Sequence, residues 1–298
     1  MLEAGDNVLI CGDGPVMILA AKLAAIKGYS TTCALAPRSL TEAPKLVYTD
    51  AHPEGSLPLS FLPIAGPDAD SVVIDECVAN SKGLIVAFDR EVTMPEGALK
   101  VFMPDGETAL ERVVTMSRYL NGAGMGFFAS AAKVAANTEI WAAGGKQVDA
   151  YRAMEQMITS RAAQMNVGHT IIRAGTLKGG AVGDSLTGEG GGESSFLNTF
   201  FYTLGQQDVV NWRLLYDCDV LGVDLERGDT MPGPGVMAAT TATSSKGGAG
   251  DSHRGAVATA LVEALSAPEA VNSDFSVGAK QGRDFPTADE WKGLFAAA

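Results

Sequence analysis

The sequence predicts a doubly wound α/β domain built on a parallel sheet, and three observations predict it. The chain opens with a short apolar run, Asn7-Val-Leu-Ile-Cys11, followed by a glycine turn and a helical apolar pattern. Strand-like and helical segments then alternate along most of the 298 residues, as in a sheet covered on both faces. With 46% hydrophobic and 19% charged residues, the composition is that of a folded globular chain.

The run Asn7–Cys11 has the character of a buried strand. From Pro15 to Gly28, apolar residues at Val16, Leu19, Ala20, Leu23 and Ala24 follow a helical period. Pro15 suits a first helical position and Gly28 a C-terminal cap. Ser30–Leu35 is the second strand, completing a β-turn-α-β unit. Further strands are expected at Leu59–Ile64, Leu84–Phe88, Gly126–Ala129, Thr170–Arg173 and Phe275–Val277. Helices are expected at Asp105–Leu120, Val148–Met165 and Arg254–Leu265. The whole chain, 1–298, reads as one domain. Within it, residues 176–252 break the rhythm with Gly179-Gly180, the run Gly188 to Gly192, and Pro232-Gly-Pro-Gly235. Aromatic-rich pieces, Phe196–Leu204 and Val209–Leu215, lie between these breaks. This stretch reads as an inserted, Gly-rich substrate or partner lobe.

A formal charge of −13 disfavours nonspecific contact with nucleic acid or anionic lipid. No apolar stretch approaches the roughly 20 residues of a membrane span. Cys11, Cys33, Cys77 and Cys218 lack CxxC spacing and read as small core residues in a reducing compartment. His52, His169 and His253 are isolated, so no metal site is expected. The N-terminus has neither a signal-peptide layout nor an Arg/Ser-rich transit segment. Either the protein works where it is made, or a leader has been removed.

Gly12-Asp13-Gly14-Pro15-Val16-Met17 matches a GxGxxG turn at its first two glycines, with Met17 at the third. The first glycine makes the tight turn, the second admits a pyrophosphate, and the third serves close helix packing. Phosphate contact is therefore kept, and packing is what Met17 alters. The helix start that follows completes an anion site. A dinucleotide is the expected cofactor. At the end of the second strand, Leu35-Ala-Pro-Arg38-Ser39 holds no acid for a ribose hydroxyl. An Arg followed by Ser suits a 2′-phosphate, so NADP is expected over NAD.

These segments resemble the atypical branch of the short-chain dehydrogenase/reductase superfamily. The resemblance rests on the glycine turn, Arg38-Ser39, Phe127-Phe128-Ala-Ser130 and Tyr151-Arg-Ala-Met-Glu155. It rests also on His169-Thr-Ile-Ile-Arg-Ala-Gly-Thr-Leu-Lys-Gly-Gly180, and on Asp251-Ser-His-Arg-Gly-Ala-Val-Ala258. The resemblance implies that Ala87-Phe88, Ala129 and Ala174-Gly175 line the cofactor. Active members use a Ser, and a Tyr four residues before a Lys. The resemblance places the Ser at Ser130. If Tyr151 is the family Tyr, Glu155 stands where the Lys belongs. In a second register, preferred because Arg152 and Glu155 both fit it, Tyr151 replaces the Lys and Gln147 the Tyr. Neither register yields the dyad, although Lys133 and Lys146 lie nearby in sequence. A carboxylate beside the Tyr would raise its pKa, which works against proton donation.

Three functions follow from this. One is an NADP(H)-binding scaffold, weakly catalytic or not at all, inside a larger complex with protein partners, with plastid residence implied by the resemblance. Another is an NADPH-dependent reductase of a small organic substrate, using Ser130 and Tyr151. The third is a structural pseudoenzyme whose nucleotide site is closed by Met17.

Overall fold

The computed structural model describes residues 1–88, 94–119, 146–178, 222–229, 251–280, 282 and 285–298. Eight strands form one sheet in the order β3-β2-β1-β4-β5-β6-β10-β8. These strands are β1 (Asn7–Asp13), β2 (Ser30–Leu35), β3 (Leu59–Pro63), β4 (Gly83–Phe88), β5 (Arg112–Arg118), β6 (Gly168–Ala174), β8 (Gly222–Arg227) and β10 (Ser273–Lys280). Every neighbouring pair is parallel except β10 with β8. Two further short strands, β7 (Thr176–Lys178) and β9 (Asp251–His253), pair in parallel with each other.

Helices cover both faces. On one face, α1 (Pro15–Ile26), α3 (Ala43–Val47), α7 (Arg254–Glu263) and α8 (Ala288–Ala297) close a core with Ile10, Ile85, Val114, Met116, Ile172 and Phe275 of the strands. On the other, α4 (Ser71–Asn80), α5 (Glu96–Phe102) and α6 (Lys146–Met165) bury Leu9, Cys11, Leu84, Val86 and Val113. The short α2 (Pro37–Leu40) follows β2 directly. Two cores on one sheet are what a doubly wound fold requires.

The opening unit forms as its residues dictate. Pro15 stands at the start of α1, where its missing N–H costs no hydrogen bond. The helix closes on Gly28 at φ +95°, with the amides of Gly28 and Tyr29 returning to the carbonyls of Ala25 and Ala24. That is the Schellman arrangement for which glycine is favoured. Cys11 and Cys33 are buried as expected, and burial pushes the Cys33 thiol up to about 12.

Residues 105–120 overturn the expected helix: their centre is β5, buried along its whole length. Val113-Val114-Thr115-Met116 is a short, β-branched apolar run between charged residues, and such a run packs as a central parallel strand. The expected strand Gly126–Ala129 lies outside the described residues. So do 179–221 and 230–250 of the expected lobe. Its described parts are the β7–β9 pair at its two ends and β8, which joins the main sheet. Among the described residues no helix is long and apolar enough to cross a membrane.

A buried ion cluster ties α6 to the sheet. Arg173 of β6 donates to both carboxylate oxygens of Glu155, at 2.9 Å each, and also to Asp274 of β10. Burial works against its charge, but Glu155 and Asp274 outweigh that and hold Arg173 above its usual value. Arg173→Met leaves Glu155 without its cation and is expected to cost about 3 kcal/mol in urea unfolding. Replacing Glu155 by Met in the same chain is expected to restore most of that loss, because the stranded charge is removed with its partner.

Candidate nucleotide site at the carboxyl ends of the strands

The strand order reverses between β1 and β4, and open α/β sheets bind ligands in the crevice at that point. Gly12 and Asp13 end β1 and lie in register with Ala87 and Phe88 at the end of β4. Gly12 has φ +148°, and a Cβ built on it would lie 1.7 Å from the Ala87 carbonyl oxygen. Only glycine fits that approach. Gly14, the N-cap of α1, has φ +105° and ψ 179°, a region essentially closed to other residues. Gly14 offers no side chain to cap α1, and the first turn of the helix holds no acidic residue. A tight glycine turn ahead of a twelve-residue helix whose positive end carries no acid has the chemistry that receives a phosphate.

Val16 and Met17 turn their side chains into the core, at 0% and 1% exposure. Met17 belongs to the same core cluster as Val8, Ile10 and Ala20, so its bulk is buried in the core on that face of the sheet. Arg38 and Ser39 stand in α2, immediately after β2, where the ribose end of a dinucleotide is expected. Ala174 and Gly175 end β6, but their backbone is already engaged. The Ala174 carbonyl accepts from the Tyr119 amide, and the Gly175 amide donates to Ser252 Oγ at 2.7 Å. Tyr119 Oη and Ser252 Oγ both donate to the Val277 carbonyl, at 2.6 and 2.5 Å. This network closes the tops of β6 and β10, and burial pushes the Tyr119 phenol well above its usual pKa. Ala129 and Ser130 lie outside the described residues.

Tyr151 is buried on α6, and its hydroxyl donates to the Phe88 carbonyl at 3.1 Å. Glu155, one turn further on, is held by Arg173. The carboxylate thus faces a guanidinium and belongs to the packing of α6. Sequence reasoning missed Ser117. It pairs with Arg173 of β6, and the β4 register, continued two residues past Val86 and Thr115, sets Phe88 on its other side. Ser117 shares a strand face with Val113, which belongs to the core that includes Tyr151 of α6, and its register partner Arg173 is the residue that holds Glu155. The Ser117 hydroxyl is fully buried and has no hydrogen-bond partner. Reading 105–120 as a helix hid it; the Val-Val-Thr-Met run was the signal.

No protein-family model matches this chain, and no curated protein does. Solved structures do match it in fold. The oxidoreductase ylbE of Lactococcus lactis is 11% identical, with a TM-score of 0.52, covering 98% of this chain and 97% of its own. Gre2 of Candida albicans, solved with NADPH, is 11% identical with a TM-score of 0.51, covering 92% and 78%. A Bacillus halodurans protein assigned as an NAD-dependent epimerase/dehydratase is 12% identical with a TM-score of 0.50, covering 97% and 100%. At such identities the likeness is one of fold: a Rossmann-type sheet with the epimerase and reductase topology.

His253 caps α7, its Nδ1 accepting from the Gly255 amide at 3.1 Å, so the ring proton sits on Nε2. Burial, with the charge of Arg254, lowers its pKa to about 3. The unfolded chain takes up this proton near pH 6.5 and the folded chain does not. Stability is therefore expected to fall as pH drops from 6.5 toward 3, by up to about 1.4 kcal/mol per pH unit from this group. Urea midpoints across that range check it, and His253→Asn, which keeps a capping oxygen, is expected to flatten the slope.

Proposed function

We propose that this chain binds NADP(H) across the β1–β4 crevice and holds it without the tyrosine-driven proton transfer of related reductases. The observation that carries this reading is the glycine turn. Its first glycine is fixed by the Ala87 carbonyl, its second by a glycine-only conformation, and both precede a helix start that carries no acid. The preference for NADP rests on Arg38 following β2 with no acid beside it. The fold neighbour Gre2, solved with NADPH, supports the same cofactor class.

Tyr151 is spent on the Phe88 carbonyl and Glu155 on Arg173, which supports a cofactor-holding role. In that role the nucleotide would serve a larger assembly, as the sequence resemblance implies, with plastid residence resting on that resemblance alone. The reductase reading keeps one specific observation, the buried Ser117 hydroxyl that has no hydrogen-bond partner.

Saturating NADPH is expected to raise the melting temperature, because a ligand of the native state must stabilise it. Arg38→Gln is expected to weaken NADPH about tenfold or more in calorimetry while leaving NADH unchanged. No shift with either nucleotide would overturn the proposal. NADPH consumption over a panel of carbonyl compounds decides between the two readings: turnover lost in Ser117→Ala establishes the reductase, and silence across the panel supports the holding role. Tyr151→Phe is expected to leave nucleotide affinity within about twofold of the parent, since a buried hydroxyl bonded to a protein carbonyl is not facing ligand.

A further inference from the structure

Two aromatic residues one turn apart anchor α8. Trp291 and Phe295 are buried, at 2% and 1% exposure, and the Phe295 ring meets Phe275 of β10 edge-on at 5.1 Å. Glu290 and Leu294 each stand one residue before an anchor, and Gly293 completes that flank of the helix. Between this flank, Val223 of β8 and the Phe285-Pro286 entry to the helix lies a cavity of about 440 Å³. That is the size of a small-molecule site. Val223 is in register with Ala279 near the end of β10, which runs parallel to β6, so the cavity lies toward the carboxyl side of the sheet. Four strands separate β8 from β1, which sets it roughly 24 Å across the sheet from the glycine turn.

The lining is apolar apart from one group. Val223 is buried, Phe285, Pro286 and Leu294 are half-buried, and Glu290 is the only charged residue among the described lining. Its Oε2 accepts from the Thr287 amide at 2.7 Å and from the Thr287 hydroxyl at 2.8 Å. These two bonds hold the carboxyl below its usual range, so it stays ionised, and they leave Oε1 open to a further donor. Gly293 is a second, separate sign. It sits inside a ten-residue helix, although glycine is the poorest helix former after proline. Its backbone is helical, and a Cβ built on it would meet nothing within 4 Å. Neither conformation nor crowding calls for glycine there; what its bare backbone supplies is room in the cavity. An apolar recess with one held negative charge is the complement of an apolar molecule that carries a positive one. The formal charge of −13 favours the approach of a cation over that of an anion.

We infer that this cavity binds a small organic amine, with its apolar body against Val223, Phe285 and Leu294 and its ammonium on the Glu290 carboxylate. The inference goes beyond the nucleotide reading and does not depend on it.

Calorimetric titration of the full chain with phenethylamine, and with its neutral counterpart 2-phenylethanol, tests this. Phenethylamine is expected to bind about tenfold more tightly than the alcohol, with an advantage that shrinks as salt is raised. Glu290→Gln keeps the capping box, which glutamine also serves, so the helix start is preserved. This variant is expected to bind phenethylamine about tenfold more weakly, at the level of the alcohol. Gly293→Leu fills the cavity from an open position. It is expected to raise the melting temperature without ligand, as leucine is the better helix former, and to abolish binding of both compounds. The exposed control Lys292→Gln is expected to bind as the parent does. Equal affinity for amine and alcohol in the parent would make the recess an apolar one without charge selection, and overturns the inference. So does a parent that ignores phenethylamine, or binding unchanged in both Glu290→Gln and Gly293→Leu. NADPH is expected to bind Gly293→Leu as it binds the parent, so the two proposals stand or fall separately.

Discussion

The crevice exists because β1 and β4 approach so closely at their carboxyl ends that Gly12 has no room for a side chain beside the Ala87 carbonyl. The candidate nucleotide site is placed relative to that seam. The strand order reverses there, so the connections leave β1 and β4 toward opposite faces and cannot cover the gap between them. Gly14 then turns the chain sharply into α1, whose amides face the same gap. A side chain at either glycine would force the strands apart or unwind the turn, and the helix dipole would no longer bear on the crevice.

Much of this was legible because its physics is local. Pro15 and Gly28 mark α1 by needs of the backbone alone, and the structure sets them at the first position and just past the last turn. The five-residue apolar run before Gly12 needed no partner to be read as a strand, although β1 continues through Gly12 and Asp13. Met17 was the ambiguous residue. Whether it closes the crevice or fills the core depends on which side of α1 it occupies, and helical period places it with Ala20, Ala21 and Ala24 against the sheet. Three small residues around one long flexible one let the helix pack without the third glycine.

What the sequence concealed depends on neighbours distant in the chain. Val113 to Met116 is too short to show a period, so strand and helix are separated only by burial between β4 and β6. That misreading left Ser117 unnoticed; Ser130, where the resemblance places the serine, lies outside the described residues. The strand β8 escaped for a similar reason. Val223 and Leu225 alternate with polar residues over only six positions, and their partner Ser273–Lys280 is about fifty residues away along the chain. Glu155, considered as the group that would spoil a Tyr–Lys dyad, has its meaning set by Arg173 and Asp274, on two other strands.

The electrostatics then divide the molecule along one strand. A chain of net charge −13 has acid to spare, yet the two ends of β5 on its α7 face both carry arginine. At the amino end the helix itself answers, because the last carbonyls of α7 and Thr170 take the protons of Arg112. Burial still presses on this group, lowering its pKa to about 10, so even a well-bonded guanidinium without a facing carboxylate is held under strain.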